Sequence, residues 1–241
     1  MGAALYSVEA KCFRSPVTSG SIMSRTSLLV PALILSLTAS AFVTGCANNR
    51  DGNAHARSTV SSATDSRQEL VAAKAEIGKA ITDLDLITRH GDLKPAFAAF
   101  SDDVAAVQKR EKTVRSERET MEANSDAYIK EWQGSGAQYT NDDLRKSSID
   151  RQAAVKQRFA DVTKSYRDLE EQYRPFITTL SELQNSLAND LTSAAVDTVK
   201  PVAATAVSNG EKVQTQIDVV IGQLDGMISS LSAGTPDATK K

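Results

Sequence analysis

The chain of 241 residues carries 28 lysines and arginines against 30 aspartates and glutamates, so its formal net charge is only −2. This balance provides no basic excess to attract nucleic acid or an anionic membrane face. Aromatic residues make up 5% of the chain, and glycine and proline are few. The composition is typical of long exposed helices and argues against a nucleic-acid-binding protein.

The N-terminal part has the layout of a bacterial secretory signal peptide. Arg25 supplies a positive charge just after Met23, and an apolar stretch follows over 28–42. This stretch of about 15 residues is shorter than the roughly 20 that span a bilayer as a helix. We therefore predict that translation starts at Met23, that residues 1–22 are a mispredicted extension, and that 23–45 form a lipoprotein signal peptide.

The four residues Val43-Thr44-Gly45-Cys46 close the apolar stretch and match a lipobox, the signal for cleavage before an acylated cysteine. We predict lipidation of Cys46, with two or more acyl chains, because one chain binds a membrane only marginally. Ala47 follows where an aspartate would favour the inner membrane. The predicted location is therefore the outer membrane, facing the periplasm. Beyond Cys46 the sequence has no cysteine, so the mature chain forms no internal disulfide.

Residues 46–57 are polar and aperiodic, which predicts a lipidated cysteine followed by a flexible tether. The helical domain is predicted over 58–232. Its first helix is expected to start near Ser66, where a capping box fits, or as early as Ser58. It is expected to end before Gly91. The predicted apolar face contains Leu70, Ile77, Ile81, Leu84 and Ile87.

The second predicted helix starts at Asp92, with Pro95 in its first turn, where a proline is tolerated. Its seam residues alternate in spacings of four and three, which is typical of a coiled coil. Glu111, Arg118 and Ser125 interrupt this seam and are expected to weaken that half of the helix. The seam comprises Leu93, Phe97, Phe100, Val104, Val107, Glu111, Val114, Arg118, Met121, Ser125, Tyr128 and Trp132.

A glycine-rich break at 134–136 precedes a third helix, for which Thr140 is the predicted N-cap. Pro175 lies inside this helix, but the heptad phase continues across it. We therefore predict one kinked helix rather than two. Its seam is the most regular in the chain: Val155, Phe159, Val162, Tyr166, Leu169, Tyr173, Phe176, Leu180, Leu183 and Leu187.

Residues 192–208 contain Pro201 and predict a short helix and a turn. After Asn209 and Gly210 the seam returns, and 233–241 are predicted to be a disordered tail. The fold class is therefore all-α: an elongated antiparallel helical bundle or coiled coil of three to four long helices. The last predicted seam comprises Val213, Ile217, Val220, Leu224, Met227 and Leu231.

The stretch 131–196 resembles an uncharacterised bacterial domain-of-unknown-function family (DUF2959) of secreted, lipobox-bearing coiled-coil proteins. The resemblance implies an all-helical fold and carries no known activity, substrate or binding residue. One departure is Asp190-Leu191-Thr192, where such relatives tend to have Asn-Leu-Asn. The matching residues are Glu131-Trp132, Gln138-Tyr139-Thr140-Asn141, Leu144-Arg145, Pro175, Leu191 and Ala195-Val196.

No motif in the sequence indicates catalysis. His55 lies in the predicted tether and His90 at a helix end, and no spacing suits a metal. Asp102-Asp103 and Asp142-Asp143 are adjacent pairs whose members point to different helix faces, so we interpret them as solvated or capping. A helical rod is also expected to lack a concave pocket. We therefore predict no enzyme, cofactor, metal site or small-molecule substrate, and Cys46 is the one candidate functional residue.

The sequence favours a lipid-anchored envelope scaffold whose partners are the membrane and a helical protein or a second copy. The predicted partner surfaces are 97–132 and the region around Pro175. The alternatives are a periplasmic holdase-like or membrane-associated binding protein, and a peptidoglycan tether through Lys241, similar to the murein lipoprotein. A GxxxG pattern from Gly222 to Gly226 indicates either a close helix approach or no role.

Overall fold

The computed structural model describes residues 48–89, 91–136 and 139–232, and this part of the chain is almost entirely helical. It contains no strand, which confirms the all-α prediction. The predicted signal peptide 23–45, Cys46 and the predicted tail 233–241 lie outside the described residues. The four helices are α1 (Asn48–Thr88), α2 (Leu93–Gly136), α3 (Asp142–Asn189) and α4 (Ser193–Ser232).

The helices form an up-down-up-down bundle in which α1 packs on α2 and α4, and α3 packs on the same two helices. Contacts between the helices show their antiparallel register. Thr59 Oγ1 donates to the carbonyl of Asn124 at 3.1 Å, which aligns the early part of α1 with the late part of α2. Arg67 pairs with Asp225 at 2.6 Å, so the end of α4 lies towards the start of α1.

The core is one continuous apolar column built from heptad positions of the four helices. In α3 and α4 the predicted seams are buried almost throughout, with only Val155 and Phe159 partly covered. In α1 the seam holds many small residues that the apolar pattern missed. The buried α1 positions are Ala56, Thr59, Ser62, Ala63, Ser66, Leu70, Ala73, Ile77, Ala80, Leu84 and Ile87.

Helix α1 starts at Asn48, which corrects the prediction of a flexible tether over 46–57. The four-three seam extends upstream through Ala56 and Thr59, both of which are buried. Helix α2 continues to Gly136 and runs alongside this segment, so the early turns of α1 have a surface to pack on. Packing therefore outweighs the polar composition of the segment.

The predicted start of the first helix at Ser66 is also wrong, because Ser66 lies in the middle of α1. Its side chain is fully buried, and its Oγ shares a hydrogen bond of 2.6 Å with the Tyr166 hydroxyl on α3. A serine that looks like a helix cap in the sequence is thus a core residue whose polar atom is satisfied across the bundle.

Residues 192–208 do not form a short helix and a turn, because α4 is continuous from Ser193 through Pro201 to Ser232. An interior proline costs about 3 kcal/mol since it removes one helical hydrogen bond. Pro201 is exposed, whereas the seam residues Val196, Ala203 and Ala206 around it are buried. Burial of that seam keeps the helix intact across the proline.

Gly210 is a packing residue in the middle of α4. A Cβ built on Gly210 would lie 2.6 Å from Ile81 Cγ2 and 3.1 Å from Phe176 Cε2. Glycine therefore lets α4 approach both α1 and α3 at this level, which offsets its poor helix propensity.

Helix α3 begins after Asn141, one residue later than the predicted Thr140 cap. The Asn141 side chain accepts a hydrogen bond of 3.0 Å from the Leu144 amide, and Asp142 and Asp143 occupy the first turn. The helix continues through Pro175 to Asn189 without interruption, as predicted. At its 48 residues, α3 is about 72 Å long.

Candidate functional site

A cavity of about 310 Å³ opens between α2 and α3 in the middle of the bundle. Leu70 and Ala73 of α1 and Ile217 of α4 line its inner side. The prediction that the rod lacks a concave pocket is therefore wrong. The volume lies at the lower end of the range of about 300–1,000 Å³ that is typical of small-molecule sites. The walls come from Glu111, Val114, Arg115, Arg118, Tyr166, Leu169, Glu170, Tyr173, Arg174, Ile177 and Thr178.

The cavity exists because two seam positions of α2 carry charged residues. Glu111 and Arg118 occupy heptad positions that would otherwise fill the space between α2 and α3. Both side chains reach towards solvent, with 29% and 20% of their surface exposed. Because the charged head of such a side chain stays in water, only its aliphatic stem covers the seam. Val114, between them, is too small to close it.

Ion pairs surround the mouth of the cavity. Arg118 Nη1 donates to Glu170 Oε2 at 3.3 Å across the α2–α3 interface, and Arg174 pairs with the same carboxylate along α3. Arg115 pairs with Glu111 at 3.1 Å on α2. The lining therefore contains three guanidinium groups and two carboxylates. The mouth is polar and slightly cationic, whereas the interior is apolar.

The Glu170 carboxylate is held in its charged form. Partial burial works to raise its pKa, but the hydrogen bonds and charges of Arg174 and Arg118 together outweigh burial and lower the pKa below its usual value. Glu170 is thus the shared acceptor of two arginines from two helices. It connects α2 and α3 at the point where their apolar contact is thinnest.

The Arg118 side chain retains an unused donor at the cavity. Its Nε is buried and finds no hydrogen-bond acceptor among the described residues. The nearest carboxylate oxygen, on Glu122, is 4.0 Å away and too distant for a hydrogen bond. An unsatisfied buried donor costs about 1–3 kcal/mol. Arg118 is therefore held at the α2–α3 interface with one donor unsatisfied.

Two tyrosines of α3 form much of the apolar wall. The Tyr166 hydroxyl bonds Ser66, and the Tyr173 hydroxyl donates to the Val107 carbonyl at 3.4 Å. Burial raises the pKa of Tyr166 to about 12 and also raises that of Tyr173. Both phenols stay neutral at physiological pH, and because their hydroxyls are engaged elsewhere, they offer the cavity their ring carbons.

A second charged cluster joins α1 to α2 just beside the cavity. Arg110 forms hydrogen bonds with both Glu76 and Glu69, at 2.7 Å for the Nη2–Oε1 contact with Glu76. Both hydrogen bonds raise the pKa of Arg110 above its usual value, and the bond to Glu76 has the larger effect. The cluster is a half-buried interhelical clamp. Sequence reasoning missed it because Arg110 is 34 and 41 residues away from its two partners.

Asp103, interpreted from the sequence as solvated or capping, lies instead against Asp83 across the α1–α2 interface. Partial burial is the largest cause of the raised pKa of Asp103, and a hydrogen bond with Asp83 and the charge of Asp83 raise that pKa further. Lys79 acts in the opposite direction. The charge of Asp83 thus opposes the ionisation of Asp103, which destabilises the bundle slightly at neutral pH.

The other sequence-predicted residues are not brought together into a site. Cys46 and His90 lie outside the described residues, and His55 is on α1. The described residues contain no group of three potential metal ligands. In the GxxxG pattern a Cβ on Gly222 would meet nothing within 4 Å, and one on Gly226 would meet only Arg158 at 3.8 Å. The pattern thus mediates no close helix approach.

Part of the predicted partner surface 97–132 is engaged within the chain. In α2, Phe100, Val104 and Val107 are buried in the core. At the far end of α2, Trp132 packs on Tyr128 and lies under Arg151, and its Nε1 donates to Ser148 at 3.0 Å. Pro175 is exposed on α3.

The fold and the site define an all-α four-helix bundle with a central cavity between two of its helices. The model of the family described as "Protein of unknown function (DUF2959)" matches residues 49–231, and the chain belongs to this family. No curated protein and no solved structure matches the chain. Among the described residues, no helix has both the length and the hydropathy needed to cross a membrane.

Proposed function

We propose that this protein is a lipid-anchored component of the bacterial cell envelope that acts as a structural and interaction module without catalysis. The lipobox Val43-Thr44-Gly45-Cys46 carries the proposal. Helix α1 begins at Asn48, so only Ala47 separates the predicted lipid from the first described helical residue. The anchor would therefore hold one end of the bundle close to the membrane.

The length of the bundle supports a spacing role. Helix α3 alone extends about 72 Å from its 48 residues. A rod of this length, anchored at one end to the outer membrane, would present its sides and its far end to partners in the periplasm. The proposed task is binding and spacing.

The direction of α4 favours this scaffold over a peptidoglycan tether through Lys241. Because α4 is antiparallel to α1, Ser232 lies towards the end of the bundle at which α1 starts. Residues 233–241 span at most about 30 Å when fully extended. A terminal lysine would thus attach near the anchored end and gain little from the length of the rod.

The anchor is tested by Cys46→Ser in the full-length chain. The variant is expected to leave the membrane fraction and lose its acyl modification by mass spectrometry, while circular dichroism stays helical. Cys12→Ser is the matched control, since Cys12 precedes the predicted start and should change nothing. A Cys46→Ser protein that stays with membranes, as the wild type does, would refute the anchor.

The partner is tested by cross-linking with mass spectrometry in intact cells. Recovery of one discrete envelope protein, or of a second copy of this chain, supports the scaffold. Recovery of many unfolded clients would favour the holdase, and muropeptides linked to lysine would favour the wall tether. The last two results would overturn the scaffold proposal.

A further inference from the structure

We propose that the cavity between α2 and α3 binds a single-chain amphiphile, with its aliphatic chain among the apolar walls and its anionic head group at Arg118. The inference is independent of the lipid anchor, because it rests on the described residues alone. No motif in the sequence predicted such a small-molecule ligand.

The shape of the lining favours an extended chain. The lining residues of α3 extend from Tyr166 to Thr178, which corresponds to about 18 Å along the helix axis. The cavity volume of about 310 Å³ equals that of about ten liquid water molecules. A cavity of this volume, lined over this length of α3, fits an extended aliphatic chain of about ten carbons better than a compact ring system.

The interior of the cavity offers almost only carbon to a ligand. Leu70, Leu169 and Ile217 contribute aliphatic side chains, and the two tyrosines contribute ring faces because their hydroxyls are bonded elsewhere. Burial of a ligand's apolar surface against these walls favours binding. The walls therefore select an aliphatic chain.

The polar groups of the lining lie at the mouth, where charge selects the head group. Arg115, Arg118 and Arg174 outnumber the carboxylates Glu111 and Glu170. Arg118 lines the cavity, and its Nη1 makes only a long contact of 3.3 Å with Glu170 Oε2, so the guanidinium group can take a stronger anionic acceptor. A guanidinium group binds carboxylates and phosphates preferentially. The head group is thus an anion, supplied either by a free fatty acid or by a monoacyl phospholipid.

The test is calorimetric titration of the purified full-length protein with four ten-carbon probes, each kept below its micelle concentration. The probes are decanoate, decyl phosphate, decanol and decyltrimethylammonium. We expect at least one anion to bind about 10- to 100-fold more tightly than decanol, as a charge-assisted hydrogen bond predicts. Tighter binding of decanoate indicates a fatty acid, and tighter binding of decyl phosphate indicates a phospholipid.

Two variants test the site. Arg118→Met keeps the aliphatic stem and should remove the preference for the anion over decanol, whereas Arg167→Met, the same change on the exposed face of α3, should preserve it. Val114→Phe fills the cavity without altering charge and should abolish binding of all four probes. Because Val114 is only partly buried, this variant should fold even if Arg118→Met does not.

The proposal is overturned if no probe binds saturably, or if decanol or the cation binds as tightly as both anions. It is also overturned if the Val114→Phe protein remains helical by circular dichroism and still binds, since the ligand would then occupy another part of the molecule.

Discussion

The α1–α4 interface and the α2–α3 interface of the same bundle are built from different residues. The seams of α1 and α4 contain small buried residues such as Ala80, Ala203 and Gly210, which let the helix backbones approach. The seam of α2 contains Glu111 and Arg118, and a cavity opens between α2 and α3 beside them. A regular heptad phase thus fixes which helices pair, while the size and charge of the seam residues decide whether the interface closes.

The largest expected difference in stability is between truncating a leucine of the closely packed α1 seam and truncating a leucine that lines the cavity. Leu84→Ala removes a fully buried side chain of α1 and should lower the free energy of unfolding by about 3–5 kcal/mol. Leu169→Ala removes a leucine that already lines the cavity, so fewer contacts are lost and about 2 kcal/mol is expected. Urea denaturation measures both. Equal losses would show that the two interfaces are packed alike.

A pair of glycine substitutions tests the close approach of α4. Gly210→Ala places a methyl group against Ile81 and Phe176 and should destabilise the protein by about 1–3 kcal/mol through overpacking. The control Gly222→Ala meets nothing within 4 Å, so it should stabilise the helix by about 0.5–1 kcal/mol. Thermal unfolding shows whether each substitution raises or lowers the stability. Stabilisation by Gly210→Ala would show that the helices are not in close contact there.

The sequence predicted the large seam residues well and the small ones poorly. Leucine, isoleucine and phenylalanine give a clear heptad pattern, and nearly all of them at the predicted seam positions of α3 and α4 are buried. Alanine, serine and glycine give no such pattern, although Ser66 and Gly210 are core residues. Their role depends on how closely another helix approaches, which is a property of the packed bundle and not of the segment.

The same limit explains why the cavity was missed. The charged seam residues Glu111 and Arg118 were recognised as interruptions, but a sequence does not say whether such a side chain fills the space near its Cβ. That depends on partners from other helices, such as Glu170 on α3. The polar segment 48–57 was missed for a related reason, because its helix is stabilised by α2 lying alongside.

Closing the cavity should stabilise the weaker interface. Glu111→Leu places an apolar side chain at the seam position and removes the ion pair with Arg115, which contributes about 0.2–0.5 kcal/mol. The net result should be a free energy of unfolding raised by about 1–2 kcal/mol. Glu119→Leu, on an exposed position of α2, is the matched control and should have little effect. If the two variants unfold at the same urea concentration, the seam is not open at Glu111.

The smallest effect is a difference in pH dependence between two carboxyl groups. The pKa of Glu170 is lowered, because its arginine partners outweigh partial burial. Ionised Glu170 therefore stabilises the fold above its unfolded pKa of about 4.5, and this stabilisation is lost as pH falls through the folded pKa. The pKa of Asp103 is raised by burial and by Asp83, so its ionisation destabilises the fold, and this penalty disappears as pH falls towards 3.8. Because both groups are partly exposed, each effect should stay below about 1 kcal/mol.

Neutral variants separate these opposite signs. At pH 7, Glu170→Gln should lower the free energy of unfolding and Asp103→Asn should raise it, and both differences should shrink when urea denaturation is repeated near pH 4. Glu119→Gln, at an exposed position of α2, controls for the change in net charge. If Asp103→Asn were as destabilising as Glu170→Gln, the carboxyl pair would stabilise the α1–α2 interface. Electrostatics would then not distinguish this closed interface from the open one between α2 and α3.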